Sequence, residues 1–455
     1  PHSYLPHTPA VAVADINGDG IGDIYVGGFS GDEKYVLAGN KEGGFNKVAV
    51  SVFDSAKDYA DEQAIFTDVN NDGRPDLLVI SGNHPFQEAS KRLSPRLYLN
   101  KGNFQFEYKA MPQMPRQAAK VIAFDFNGDG LNDLLFTGST SYLDYTAQAP
   151  SVILISQGNG GFKISNDKAY DQVTSVQYVT DIQVADIDRN GKPDLVIAAE
   201  WQPISIFLND GKKLSRFSSK ALDDQQGWWQ SALITDVDGD GKADLVAGNW
   251  GLNNKYNVTP ESPLHAYNKD LDNEGKNDFI LSYFYKGQYY PFRPKNDLEQ
   301  ELPYLKKEYL SYQKMADKTT AEIFKGKLNE EEHLSAGQFN SIFVSDVLHA
   351  ATFKPLPYLY QQAPVRSIIN ADDKARDILL NGNFWGVVPY EGKYDALGLV
   401  NMHYDKHIRQ LSQPVYWVNP SFNFQELNYL SPIVQAAGNA YLAMTYDGRL
   451  ILINK

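Results

Sequence analysis

A nine-residue acidic segment recurs down this chain and constrains its fold more than any other feature. It reads DINGDGIGD from Asp15, DVNNDGRPD from Asp68, DFNGDGLND from Asp125, DIDRNGKPD from Asp186 and DVDGDGKAD from Asp236. Oxygen-bearing side chains stand at positions 1, 3, 5 and 9 of every copy, and glycine stands at position 6. This is a donor set for a hard cation, calcium above all, which gathers about six to eight oxygens from carboxylates, amides and backbone carbonyls. The glycine supplies the backbone angles that fold the donors back toward one point. One such segment could be an ordinary acidic turn, whereas five with the same spacing specify a repeated unit.

The expected ligands are the side chains at positions 1, 3, 5 and 9 together with the backbone carbonyl at position 7. In the first copy these are Asp15, Asn17, Asp19, Ile21 and Asp23, and in the second Asp68, Asn70, Asp72, Arg74 and Asp76. The third offers Asp125, Asn127, Asp129, Leu131 and Asp133, and the fourth Asp186, Asp188, Asn190, Lys192 and Asp194. The fifth offers Asp236, Asp238, Asp240, Lys242 and Asp244. An EF-hand would need a bidentate Glu at position 12, and Val26, Val79, Phe136, Ile197 and Ala247 stand there instead. Short apolar runs flank each copy, such as VAVA before and IYVGG after the first, so each loop is expected to join two buried strands.

The copies start 50 to 61 residues apart, enough for about four strands each. Segments such as RLYLNKGNFQFE, VILISQGNGGFK and ISIFLNDGKKLSRF read as further hairpins. The expected fold is therefore all-β: a single calcium-binding β-propeller over residues 1–455, built from four-stranded blades that stack because none can bury its faces alone. Two degenerate copies complete the count. The segment from Asp270 to Asp278 keeps the spacing, with Asp270, Asp272, Glu274, Lys276 and Asp278 as donors, and gives a sixth calcium site beside the five clear ones. NADDKARDILL from Asn370 lacks the glycine and carries Lys374 where a ligand should sit, so a strand corner without an ion is expected. With the final YLAMTYDGRLILINK as closing strands, seven blades are expected, and eight are the alternative.

These repeats resemble the FG-GAP or VCBS-type repeats of integrin-α-like propellers. AEWQPISIFLNDG, GWWQ, AGNWGLN, YYPFRPKNDLEQELPYLKKEYLSYQKMADKT and LLNGNFWG further resemble the propeller of bacterial VCBS-repeat proteins of the ASPIC/UnbV type, over nearly the whole chain. The resemblance implies a secreted protein or an outer-membrane lipoprotein, exposed on the cell surface and working beside a nutrient-uptake transporter. The ASPIC domain usual in that family lies outside this sequence.

The β pattern stops over residues 295–345, where helix formers take over. Leu302, Leu305, Tyr309, Tyr312 and Met315 fall at helical spacing, a helix is expected to begin near Pro303, and Thr319 or Thr320 should cap a second with Glu322 in its first turn. A helical insertion of this kind either carries function or covers propeller surface.

Composition bounds the remaining choices. The chain has no cysteine, which removes disulfide, thiol and zinc-thiolate chemistry, and no apolar run long enough to span a membrane. It begins at Pro1, which fits removal of an export signal or anchor. Its formal charge of −14 is concentrated in the acidic loops, and six calcium ions would nearly neutralise it. No basic stripe points to nucleic acid. His403 and His407 would share a face on a helix and could bind a transition metal there, but they stand among strand-type residues. No GxSxG, P-loop or HExxH is present, and Glu200 beside Trp201 lacks an identifiable partner carboxylate, so a non-catalytic module is expected. Aromatic residues make up 13% of the chain, and Trp and Tyr stack on sugars and anchor interfaces. Trp228, Trp229, Trp250 and Tyr256 form the candidate surface for a glycan or peptide, with Trp385 and Trp417 as further aromatic positions. A protein partner such as a transporter or surface lipoprotein is expected too.

Overall fold

The computed structural model describes residues 9–454 except 83–92, 115–117, 139, 142–143, 329–332, 351–352, 372–376, 388–390, 409, 417–426, 437 and 446–447. Its basic unit is visible in the first sheet, where Val11–Ala14, Asp23–Val26, Tyr35–Gly39 and Phe45–Val48 pair in sequence order, each antiparallel to the next. The acidic loop is the corner between the first two strands. In all six copies the residue before position 1 pairs with the Asp at position 9, from Ala14 with Asp23 to Lys269 with Asp278. Second strands such as Asp76–Ser81 and Asp133–Gly138 are buried on both faces, which is why they read as unbroken apolar runs.

Further sheets begin with the strands Asp61–Thr67, Ala118–Phe124, Val179–Ala185, Ser231–Thr235, Val365–Asn370 and Leu427–Gln435. These first strands lie side by side in chain order, and Leu427–Gln435 returns to Val11–Ala14. A separate apolar cluster fills each seam between neighbouring sheets. Val36, Phe53, Leu77 and Tyr98 join the first sheet to the second, and Val11, Ile24, Ile433 and Leu442 join the last to the first. The fold is a multi-blade propeller.

Two of the expected units are arranged differently from the reading of the repeats. The Asp270 loop is not a corner in this succession of blades. It joins Leu264–Lys269 to Asp278–Tyr285 in a separate sheet completed by Gln288–Pro291 and Leu334–Ala336. That sheet is inserted within a blade, because Asp244–Gly248 before it pairs with Ile342–Val344 after it. The sequence carries the reason: Asp270 starts only 34 residues after Asp236, too little chain for four strands. The C-terminal strands Leu427–Gln435, Gly438–Thr445 and Leu450–Asn454 form a sheet of their own instead of closing another. The segment from Asn370 is a strand corner, with Val365–Asn370 antiparallel to Asp377–Gly382, and Lys374 lies outside the described residues.

Helices occupy the expected region in shorter pieces, Lys295–Glu301, Tyr304–Glu308, Tyr312–Met315 and Thr320–Phe324. Pro303 interrupts the run just before Tyr304, since it cannot donate to a continuing helix. Thr319 caps the last helix in a full capping box with Glu322. Leu302, Leu305, Tyr309 and Met315 enter one buried cluster with Leu271 and Phe324, whereas Tyr312 faces out at 55% exposure. Among the described residues no helix is long and apolar enough to cross a membrane.

Candidate metal centre

Each acidic loop is wound around its own first residue. The backbone N–H of position 6 donates to one carboxylate oxygen of position 1 in all six copies, at 2.8–2.9 Å. That bond needs a left-handed position 6, and φ lies between +80° and +89° at Gly20, Gly73, Gly130, Gly191, Gly241 and Gly275. Position 4 is left-handed as well, in Gly18, Asn71, Gly128, Arg189, Gly239 and Asn273, a requirement the spacing argument missed. Position 7 donates its N–H to the position-5 side chain in the first five loops, from Ile21 to Asp19 at 2.8 Å through Lys242 to Asp240 at 2.8 Å.

Position 9 holds the loop to the sheet. Asp23, Asp76, Asp133, Asp194 and Asp244 are all completely buried. One oxygen accepts the N–H of position 2, as from Ile16 at 2.9 Å and Ile187 at 2.7 Å. The other accepts an N–H at or just after the end of the third strand, from Gly39, Asn100, Ser156, Asn209 or Asp346, at 2.7–2.9 Å. The same carboxylate therefore pins three strands, a role that donor counting alone did not reveal. Burial pushes the pKa of Asp23, Asp76, Asp133 and Asp244 up to about 6, against the lowering effect of these amides and with added repulsion from neighbouring acidic residues.

The structure brings the carboxylates of Asp186, Asp188 and Asp194 together, and likewise Asp236, Asp238 and Asp244, and Asp270, Asp272 and Asp278. In each triad one oxygen per residue lies within 4.8 Å of the others. These are positions 1, 3 and 9. The first three loops have an amide at position 3, in Asn17, Asn70 and Asn127, so their donor sets hold one carboxylate fewer there. In two of them the amide nitrogen reaches position 5, from Asn17 to Asp19 at 3.1 Å and from Asn127 to Asp129 at 3.0 Å. The fit to a cation is sharpest at the fifth loop. Asp236 Oδ1 is buried and has no hydrogen-bond partner, a costly state that a bound cation would relieve. Beside it, Lys242 turns its Nζ outward to Asp346 Oδ2 at 2.5 Å.

The aromatic candidates are packing residues. Trp228, Trp229, Trp250 and Tyr256 are each 0–2% exposed, so their rings offer no open stacking face. Trp228 sits edge-on to Trp201, Trp250 and Tyr256 at 5.0–5.4 Å. Phe279 of the inserted sheet packs edge-on to Tyr145 at 4.9 Å, clamping that sheet onto the propeller. Glu200 is buried there and accepts from Tyr145 Oη at 2.5 Å and Gln230 Nε2 at 3.1 Å. Trp385 lies beneath Lys393 at 4.1 Å, and Trp417 lies outside the described residues. His403 stands on the strand Leu399–Asp405 with Nδ1 2.9 Å from Asp377 Oδ1, and His407 follows in a turn, so no shared helical face exists.

A search of curated proteins finds no match. Among solved structures, the chain is similar to Sqt1 of Saccharomyces cerevisiae, at 9% identity over 100% of this chain and 99% of that one with a TM-score of 0.46. It is similar to BBS1N in complex with ARL6DN, at 10% identity over 99% and 93% with a TM-score of 0.40. A lectin of Agrocybe aegerita that recognises non-reducing terminal N-acetylglucosamine aligns at 18% identity over 62% and 78% with a TM-score of 0.38. The FG-GAP-like repeat matches residues 15–79, 68–136, 125–197 and 186–247, each span running from position 1 of one acidic loop to position 12 of the next. Together these spans cover more than half of the chain, which therefore belongs to the FG-GAP-like repeat family.

Proposed function

We propose that this protein is a calcium-stabilised, non-catalytic binding or scaffold module that works at a bacterial cell surface, as an accessory subunit of a complex taking up glycans or peptides. The observation that carries the calcium reading is the buried, unpartnered Asp236 Oδ1 within a cluster of three carboxylates. With calcium bound, the side chains at positions 1, 3, 5 and 9 serve as ligands, the carboxylates among them no longer repel one another, and each acidic corner becomes rigid. Extracellular calcium modules bind at roughly 10⁻⁴–10⁻³ M, which suits a protein outside the cell. The ion has a structural role here: it fixes the scaffold whose rims meet a partner.

The helical segment is our choice for the partner-facing rim. Leu310 and Tyr312 stand 73% and 55% exposed on it, while the cluster beneath them is closed. Two experiments test the proposal. Thorough chelation should lower Tm by many degrees, because an ion that binds only the folded state at about 100 times its Kd adds roughly 2.7 kcal/mol per site; an unchanged Tm sinks the calcium reading. A pull-down from the source membrane in calcium buffer should recover a stoichiometric transporter or lipoprotein, and its loss on replacing Leu310 and Tyr312 with Ser would map the rim. Recovery of a clean monomer would remove the uptake-complex reading.

A further inference from the structure

We propose that Arg74 is a tethered cation that fills the charge requirement of the second acidic loop and sets its calcium affinity below that of its siblings; this rests on the calcium reading above. The loops differ at position 7 in the direction their side chains take. Lys192 carries its Nζ to the Asp210 carbonyl at 2.5 Å and Lys242 carries its own to Asp346, both off the loop. Ile21 and Leu131 bring no charge. Arg74 alone among these turns back, placing Nη2 2.5 Å from Asp72 Oδ2. Asp72 is position 5, one of the four side-chain donors. In the first and third loops the equivalent oxygen receives only a neutral amide, from Asn17 or Asn127.

A second bond anchors the guanidinium in this pose. Arg74 Nε donates to the Asn100 carbonyl at 2.8 Å. Asn100 is fully buried, and its Nδ2 reaches Ile16 O at 2.9 Å and Pro75 O at 3.1 Å, which ties the second loop to the first. Arg is charged at every working pH and its planar fork loses little freedom once two of its nitrogens are engaged. A calcium ion entering this loop meets a positive group on one of its ligands and must displace it or bind beside it. The second loop thus keeps its corner folded when calcium is scarce and yields the ion first as calcium falls.

The test counts calcium ions by native mass spectrometry and follows their binding by calorimetry, with calcium as the only added ligand. Arg74→Leu copies the residue that the third loop already holds at Leu131, so the corner tolerates it. The expected result is that one ion binds at least tenfold more tightly, and that this gain vanishes when Asp72→Asn is added. The reciprocal Leu131→Arg should weaken one ion by a similar factor. An identical titration for Arg74→Leu and the parent, with ions bound in both, overturns the role of Arg74 and leaves the calcium reading intact. Absence of calcium binding in both overturns the two together.

Discussion

Position 9 of each loop shows how one residue can serve two ends. In Asp133 the carboxylate accepts from Phe126 at 3.1 Å and Ser156 at 2.7 Å, and it is also one of the proposed calcium donors. Asp133→Asn keeps the shape but turns one acceptor into a donor against a donor. It should cost about 1–3 kcal/mol in the calcium-free protein, the usual penalty for stranding a buried polar group, as read from urea denaturation. Gly130→Ala meets no steric obstacle within 4 Å, but φ is +84°. The backbone strain alone should cost about 1–2 kcal/mol, with calcium in excess and measured the same way. The convergence of positions 1, 3 and 9 in the last three acidic loops was legible in the sequence because the repeat fixes their type and spacing. The strand-pinning role of position 9 was not, because its partners at Gly39, Asn100, Ser156, Asn209 and Asp346 lie at variable distances along the chain.

The inserted sheet is the element that most departs from the repeat. Its charge pattern imitates a blade corner, so the loop is legible while its place is not; pairing partners across an insertion leave no local signal. Helix capping at Thr319 was legible since the capping box is a local motif, and Thr319→Ala should cost about 1 kcal/mol of stability in this segment, seen as faster amide exchange over Thr320–Phe324. His265 sits on the same sheet, stacked on Tyr289 at 4.1 Å and 3.9 Å from His333. Burial, and then the neighbouring His333, depress its pKa to about 4. Its unfolded value is higher, about 6.5, so the stability it contributes is full above that pH and is lost as pH falls toward 4. His265→Gln should therefore flatten the fall of Tm between pH 6.5 and 4 relative to the parent, in scans run side by side. An unchanged slope would show that the imidazole does not control it.

Across the molecule, acidic loops mark the first five blade corners and the insertion, whereas the last sheet has no such loop in its described residues. Chelation should therefore raise amide exchange first at the corners from Asp15 to Asp244, the Arg74-held corner Asp68–Asp76 excepted, and at Asp270–Asp278, leaving the strand Gly438–Thr445 protected until the whole fold is lost. The repeating unit was legible from the 50- to 61-residue spacing, but the return of Leu427–Gln435 to Val11–Ala14 was not, since it joins distant parts of the chain without a shared motif. The interrupted blade has a kinetic meaning as well. Asp244–Gly248 must wait for Ile342–Val344, which lies more than ninety residues downstream, while its counterparts meet their third strands after 2 to 16 residues. Closing that much longer loop adds about 2–3 kcal/mol of entropy cost to the pairing step. Folding of this blade is thus gated by prior formation of the inserted sheet, which shortens the effective loop, and an emerging chain leaves an unpaired apolar strand edge exposed until then.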